Sequence, residues 1–178
     1  MLVLFSTVDG QTLRVAERVC EVLRASGHET TLLEAGTENA SEAIPRHDAV
    51  VVGAAIRYGH HSHALERFVR RNAAALAARR NAFFSVCMCA GEHKGSKPDA
   101  ARRYVEEFCK RTGWQPGAVA SFAGALRYRA YNPFIRALIR LIMRVNGGET
   151  DASRDHEFTD WSAVERFARG FAGGLRPV

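Results

Sequence analysis

Apolar and polar positions along the chain predict strands and helices in alternation. Leu2–Phe5 is a short, continuous apolar run, which is typical of a strand buried on both faces. Apolar residues then recur at helical spacing, at Leu13, Ala16, Val19, Cys20 and Leu23. The first strand therefore leads into an amphipathic helix, which we expect to end near Ser26 and Gly27.

The same alternation continues to the end of the chain. Four further apolar segments predict strands, at Thr30–Ala35, Ala49–Ile56, Ala82–Cys89 and Val119–Leu126. Helices are predicted around Leu65–Leu76, at Pro98–Arg111, at Pro133–Val145 and from Asp160 onward. Five strands alternating with helices indicate an α/β fold, with a parallel sheet covered on both faces.

A ligand-binding segment separates the first strand from the first helix. It carries hydroxyls and a glycine and lies where a helix N-terminus can bind an anion; its candidate residues are Ser6, Thr7, Asp9, Gly10, Gln11 and Thr12. The segment matches neither the Walker pattern nor G-x-G-x-x-G, so it favours a single phosphate monoester such as that of FMN. We expect Asp9 to point outward, away from the phosphate. The alternative is an ordinary turn with a Ser or Thr helix cap.

The predicted phosphate loop favours the flavodoxin-like strand order 2-1-3-4-5, within one domain spanning residues 1–178. In that order, the ends of the first and third strands form the ligand site. After the third strand, small residues and an aromatic one could lie against a flavin ring, at Ala54, Ala55, Ile56, Arg57, Tyr58 and Gly59. The alternative is that Tyr58 packs on a neighbouring residue.

The end of the fourth strand is predicted to form the other wall of the site. Its residues are Cys87, Met88 and Cys89, and strand alternation places both cysteines on one face. Such cysteines are more often small core residues than redox thiols. The cysteines lack metal-site spacing, and His60, His61 and His63 lack matching ligands, so we predict no metal site and treat proton transfer by His60 or His61 as a weaker alternative.

Composition narrows the class of partner. The chain has 178 residues, 47% of them apolar, with a formal charge of +6, which favours an anionic partner such as nucleic acid, a membrane surface or an acidic small molecule. No segment has the length of a membrane span, and the amino terminus does not resemble a signal peptide. The cysteines fit a reducing, cytoplasmic setting.

The predicted helix at Pro133–Val145 is unusual because almost all of its surface is apolar. Arg136, Arg140 and Arg144 form one basic stripe, and apolar residues occupy most of the remaining circumference. The helix is therefore either packed into the protein or presented to a lipid interface or a hydrophobic substrate. Nucleic acid is disfavoured, because aromatic residues do not alternate with the charges.

Several motifs together resemble one family across nearly the whole chain. They are Leu4–Thr7, Asp9–Thr12, Gly53-Ala54 with Ile56–His60, Ala123–Tyr128, Leu141–Met143 and Gly147–Asp151. This combination resembles the quinone-dependent protoporphyrinogen IX dehydrogenases, which are long-chain flavodoxin-like enzymes of bacterial haem synthesis. Residues 87–96 depart from the family pattern.

The resemblance implies that the chain oxidises protoporphyrinogen IX to protoporphyrin IX through FMN, with menaquinone or ubiquinone as electron acceptor. It implies that Arg57, Arg127 and Arg129 meet the substrate's carboxylates or the flavin edge, and that the loop after the fifth strand contacts the flavin through Gly124, Ala125 and Leu126. The segment at about 127–150 is an insertion, whose helix would contact the inner-membrane surface on its cytoplasmic face through Arg136, Arg140 and Arg144.

No side chain is assigned as a covalent or acid–base catalyst, and the sequence leaves open whether the chain forms a homo-oligomer. Two other functions compete with the dehydrogenase. One is a soluble flavodoxin-type electron carrier, which would usually have an acidic surface. The other is an NAD(P)H-dependent flavin or quinone reductase.

Overall fold

The computed structural model describes residues 1–92, 96–128, 132–145 and 147–174. The strands are β1 (Leu2–Ser6), β2 (Thr31–Glu34), β3 (Ala49–Arg57), β4 (His60–His61), β5 (Arg80–Cys87), β6 (Val119–Ala123), β7 (Ala125–Leu126) and β8 (His156–Glu157). The helices are α1 (Gln11–Ala25), α2 (Glu38–Ala43), α3 (His63–Ala77), α4 (Pro98–Thr112), α5 (Pro133–Val145) and α6 (Trp161–Ala172), with a 3₁₀ turn at Ile44–Arg46.

Five parallel strands form the main sheet in the order β2-β1-β3-β5-β6. Numbered by these five strands alone, the order is 2-1-3-4-5, so the predicted flavodoxin-like fold is confirmed. Ser6 lies opposite Ala54 on the neighbouring strand, and Cys87 lies opposite Ala123. The carboxyl ends of four strands therefore finish together at one edge of the sheet, where their loops can share a ligand.

Two apolar cores cover the two faces of the sheet. Leu2 and Leu4 point to one face and pack with residues of α3 and α4, while Val3 points to the other and packs with α1 and α6. This alternation explains why β1 and β3 are apolar throughout, because both of their faces are covered.

Three features differ from the sequence-based prediction. Helix α2 was not predicted, and Thr37 caps it by accepting a hydrogen bond from the Ala40 N–H at 3.3 Å. Strand β5 ends at Cys87, two residues early, because the Ala90 N–H closes a turn onto the Cys87 carbonyl. The predicted fifth strand is interrupted at Gly124, after which β7 leaves the main sheet and pairs antiparallel with β8.

Candidate functional site

The predicted phosphate loop lies between β1 and α1 with the backbone geometry of an anion site. Gly10 precedes α1 in a left-handed conformation, with φ of 82°, and no side chain caps the helix N-terminus. The Thr7 hydroxyl accepts a hydrogen bond from the Gly10 N–H at 3.0 Å. The first amides of α1 are therefore left for a bound anion, and Ser6, Thr7 and Thr12 supply hydroxyls from the same segment.

Gln11 has a different task from its neighbours in the loop. Its side chain is buried, and Nε2 donates to the Thr159 hydroxyl at 2.9 Å and to Glu157 Oε1 at 3.2 Å. Thr159 in turn donates to the Ala123 carbonyl at 2.8 Å. The Gln11 side chain thus ties α1 to the end of β6, which leaves its backbone amide for a ligand.

Asp9 points away from the centre of the loop, toward the neighbouring strand end. Its carboxylate pairs with the Arg57 guanidinium, at 3.2 Å between Oδ1 and Nη1. The ion pair holds the negative charge at the rim and connects the loop after β1 with the end of β3.

A tight turn after β3 presents an aromatic ring at the same edge. Arg57 pairs with His60 across an antiparallel hairpin, and the two residues between them, Tyr58 and Gly59, have φ values of 53° and 82°. Tyr58 is the one non-glycine residue with positive φ in the described part of the chain, and its side chain is 78% exposed. A two-residue hairpin requires positive φ at both central positions, so the turn itself accounts for this conformation and holds the Tyr58 ring exposed at the sheet edge.

The small residues of β3 serve packing more than ligand approach. A side chain at Gly53 would collide with the ring of Phe84 on the next strand, so the sheet itself requires this glycine. Ala54 is fully buried in the core, while Ala55 and Ile56 are partly exposed at the strand end. The surface offered by this strand therefore begins at Ala55.

Arg127 lies over the phosphate loop, a position that the sequence did not reveal. A Cβ added at Gly10 would be 3.3 Å from Arg127 Nη1, so the guanidinium rests directly on the loop. Among the described residues, no carboxylate forms an ion pair with Arg127. The loop lacks a lysine of its own, and Arg127 supplies a cation from 117 positions later in the chain. Arg129 falls outside the described residues.

The remaining walls come from the ends of β5 and β6. Gly124 is buried beside Met88, whose sulfur would be 3.7 Å from an added Cβ. Leu126 is buried and Ala125 is partly exposed. Cys87, Met88 and Cys89 lie at the end of β5 and in the turn after it, at the same sheet edge as the loop after β1.

The three histidines after β3 do not converge on one point. His61 is buried, its Nε2 lies 3.0 Å from the Ser85 hydroxyl, and its ring packs against Phe83 and Phe108. Burial lowers the pKa of His61 to about 3, so the ring is neutral at physiological pH. His61 is thus a core residue and unsuited to proton transfer. In the described part of the chain, no group of three or more His, Cys, Asp or Glu side chains is arranged to hold a metal ion.

Helix α5 is seated on the protein by one face only. Ile139 and Met143 pack against Leu126 and Tyr128. At 100° per residue, the exposed apolar side chains fall within an arc of about 100° on the opposite face; they are Phe134, Leu138, Leu141, Ile142 and Val145. Phe134 and Val145 are 80% and 79% exposed. The exposed apolar surface of α5 is far larger than that of a helix whose outer face contacts only water.

The arginines of α5 are not equivalent. Arg140 and Arg144 are exposed on the side of the helix between the apolar arc and the packed face, whereas Arg136 is partly buried on the side of Met143. Two of the three arginines in the predicted stripe, Arg140 and Arg144, are therefore exposed to solvent. No helix in the described ranges is long and apolar enough to cross a bilayer.

Tyr128 anchors the segment that follows α5. It is fully buried, and its hydroxyl donates to the Glu149 carbonyl at 2.9 Å. The Glu149 carboxylate accepts from the N–H groups of Thr150 and Asp151. The two motifs that contain these residues thus hold each other in place, which the sequence did not predict.

Comparisons with known proteins identify the family of the chain. Residues 2–153 match the flavodoxin domain family. The chain is 38% identical over 172 residues to the protoporphyrinogen IX dehydrogenase [quinone] of Escherichia coli strain K12, covering 96% of this chain and 93% of the relative. It is also 38% identical to the protein of the same name from Leishmania major, of which it covers 74%.

Among solved structures, oxidised flavodoxin 1 from Bacillus cereus superimposes with a TM-score of 0.58. The match covers 98% of this chain and 97% of the flavodoxin, at 13% sequence identity. At that identity, the likeness supports the fold alone.

Proposed function

Because the chain belongs to the flavodoxin-domain family that contains the quinone-dependent protoporphyrinogen IX dehydrogenases, we propose that it oxidises protoporphyrinogen IX to protoporphyrin IX and delivers the electrons to a membrane quinone. The observation that carries the proposal is the meeting of Gly10, Tyr58 and Arg127 at one sheet edge, in a chain that matches these enzymes over 96% of its length. A flavodoxin domain implies a flavin cofactor, and the loop favours FMN.

The donor set of the loop suits a single phosphate. The uncapped amides of α1 and the hydroxyls of Ser6 and Thr12 provide hydrogen-bond donors, and Arg127 provides a positive charge at Gly10. The loop contains no second glycine turn for a pyrophosphate. Tyr58, at the other side of the edge, would cover one face of the flavin ring. When bound, FMN supplies the capacity to take electrons from the porphyrinogen and pass them to the quinone.

The substrate is flat, apolar and carries two carboxylates. Arg57 is placed to meet one of them, because it stands at the rim beside the exposed Tyr58 ring, with its guanidinium carbon 5.2 Å from the ring centre. Its partner Asp9 would have to yield to the incoming carboxylate. Arg127 and Arg129 were predicted for the same purpose; the position of Arg127 over Gly10 favours the phosphate instead.

The chain's own residues contribute binding and orientation. The two arginines fix anionic groups, the Tyr58 face excludes water from a flat ligand, and buried His61 remains neutral beneath the site. We assign no covalent or acid–base catalyst.

Helix α5 is proposed as the contact with the cytoplasmic face of the inner membrane, and as the place where the quinone, menaquinone or ubiquinone, is reached. Its exposed apolar arc would enter the interface, with Arg140 and Arg144 beside the anionic headgroups. The opposite face stays attached to the protein through Met143.

One anaerobic experiment tests the function. Protoporphyrinogen IX is added to the purified, flavin-loaded protein while the flavin absorbance is followed, and a menaquinone is added afterwards. We expect the flavin band to bleach and then return, with protoporphyrin IX appearing by its fluorescence. Bleaching by NADPH with no response to the porphyrinogen would identify a reductase, and no response to either would favour an electron carrier.

A further inference from the structure

The turn after β5 brings two thiols together. The Ala90 N–H donates to the Cys87 carbonyl at 3.2 Å, and the Lys97 N–H donates to the Cys89 carbonyl at 2.8 Å. The backbone thus folds over Met88, and Cys89 packs against the cluster that contains Cys87, Ala90 and Ala101, so the two cysteine side chains lie beside each other. In an extended strand, residues two apart are separated by about 6.6 Å. This is close to the upper limit of about 6.8 Å for the Cα separation in a disulfide, and a turn brings two such residues closer together.

The two cysteines differ in exposure. Cys87 is 4% exposed and packs with Ala90 and Ala101, whereas Cys89 is partly exposed at the rim of the site. A small solute can therefore reach Cys89 while Cys87 stays covered.

They also differ in acidity. Contact with Cys87 lowers the pKa of Cys89, with Lys97 adding to the effect and burial opposing it. The same contact and burial raise the pKa of Cys87. Of the two thiols, Cys89 is therefore the one that ionises more readily, and a thiolate is the nucleophilic form of cysteine. The buried thiols of Cys20 and Cys109 have a raised pKa because of burial.

We propose that Cys87 and Cys89 form a peroxide-reactive dithiol, in which Cys89 is the attacking sulfur and Cys87 the resolving one. The Cys89 thiolate attacks one oxygen of hydrogen peroxide, the O–O bond breaks, and Cys89 becomes a sulfenic acid while hydroxide leaves and takes up a proton. The Cys87 sulfur then attacks the Cys89 sulfur, the S–O bond breaks and water leaves. Two thiols and one peroxide give one disulfide and two waters.

The disulfide would reshape one wall of the site. It closes a ring through Met88, whose side chain packs beside Gly124 and against the cluster of Leu126, Tyr128 and Met143. The pair lies in the segment, residues 87–96, that departs from the family pattern. The proposed thiol reaction does not depend on the proposed porphyrinogen substrate, because its readouts are the thiols and the disulfide of the protein itself.

The test treats the flavin-loaded protein with hydrogen peroxide at pH 7 and alkylates the remaining thiols at intervals. We expect the wild type to lose two alkylatable thiols and about 2 Da, with a Cys87–Cys89 crosslink in the peptide map that dithiothreitol reverses.

Single substitutions separate the two roles. Cys87→Ser should accumulate a sulfenic acid at Cys89 that dimedone traps, with no disulfide, and Cys89→Ser should give neither product. The matched control, Cys20→Ser with Cys109→Ser, should react as the wild type does. If Cys87→Ser folds poorly, Cys87→Ala replaces it, with the circular dichroism spectrum as the check.

Three results would overturn the proposal. The first is a wild-type protein that keeps all four thiols under conditions that oxidise free cysteine. The second is equal dimedone labelling of Cys89 in the wild type and in Cys87→Ser, since Cys87 would then not resolve the intermediate. The third is a disulfide found only between two chains. Failure of the porphyrinogen assay would leave all three measurements unaffected.

Discussion

The Arg57 guanidinium and the Asp9 carboxylate form an ion pair at 3.2 Å that joins the loop after β1 to the end of β3. Both side chains are about one-third exposed, so the pair adds little to the stability of the fold. Its effect is on the charge of the site. It turns the Asp9 carboxylate away from the centre of the loop and sets Arg57 at the rim, where the carboxylate of the proposed substrate would have to compete with Asp9 for Arg57.

Arg57 and Arg127 should have separable roles. Arg127→Met should weaken FMN binding by about tenfold or more, because it removes a charged contact to the phosphate. Arg57→Met should leave FMN binding unchanged and raise the KM for protoporphyrinogen IX. Flavin fluorescence titrations of the apoprotein and steady-state kinetics measure the two effects. A raised KM with unchanged FMN affinity in Arg127→Met would return Arg127 to the substrate site.

The loop hydroxyls should control flavin retention. Ser6→Ala combined with Thr12→Ala should weaken FMN binding, since each hydrogen bond to a charged group contributes about 1.5 to 3 kcal/mol. Gel filtration followed by the ratio of flavin to protein absorbance measures the loss. Thr37→Ala is the matched control, because its hydroxyl caps α2. Retention of FMN by the double variant would show that the phosphate binds elsewhere. Release of FAD from the purified protein would show that the cofactor is FAD and not FMN.

Helix α5 should bind anionic membranes through Arg140 and Arg144. Changing both to Gln should weaken co-sedimentation with anionic liposomes by about 2 kcal/mol, or roughly 30-fold. Turnover with a long-chain menaquinone should slow, while a short, water-soluble quinone is still reduced.

The control for α5 is Arg70→Gln with Arg71→Gln, the same charge change on exposed residues of α3. Equal loss of liposome binding in the control would indicate general charge attraction. Equal loss of turnover with both quinones would indicate that α5 shapes the porphyrinogen site instead.

His61 should make stability fall in acid. Its folded pKa of about 3 lies below the ordinary 6.5, so the unfolded chain binds the proton more strongly. The free energy of unfolding is therefore unaffected above pH 6.5 and falls as the pH drops from 6.5 toward 3. By linkage, the loss at pH 5 is about 2 kcal/mol. Urea titrations at pH 7 and pH 5 should show this loss in the wild type and not in His61→Gln; equal pH dependence in both would contradict the assignment.

Strong local signals made most of the fold predictable. Strands β1 and β3 are apolar because both faces of the sheet are covered, and α1 has regular helical spacing. The strand order, and the sheet edge at which the loops meet, could therefore be predicted from the sequence. The family resemblance is confirmed as well. Helix α2 was missed because its six residues, Glu38–Ala43, carry few apolar positions. The β7–β8 pair was missed because its partners lie about 30 residues apart, beyond any local pattern.

The candidate site was predictable in outline and not in detail. Its loops could be placed from the strand ends, yet the tasks of single residues depend on tertiary contacts. Arg127 reaches Gly10 only through the fold, Gln11 turns inward to Thr159, and Gly53 makes room for Phe84. The turn that joins Cys87 to Cys89 appears where a continuous strand was expected.

The pairing of Leu126 with His156 brings together the two ends of the segment 127–155. We therefore expect that this segment can be removed, because an Asn-Gly pair joining Leu126 to His156 would complete a two-residue hairpin. The shortened chain should fold, hold FMN more weakly for lack of Arg127, and no longer bind liposomes; loss of the native circular dichroism spectrum would show that the sheet depends on the segment. Flavin chemistry and membrane binding would then be carried by separate segments of the chain. The membrane-binding segment could be exchanged without changing the sheet.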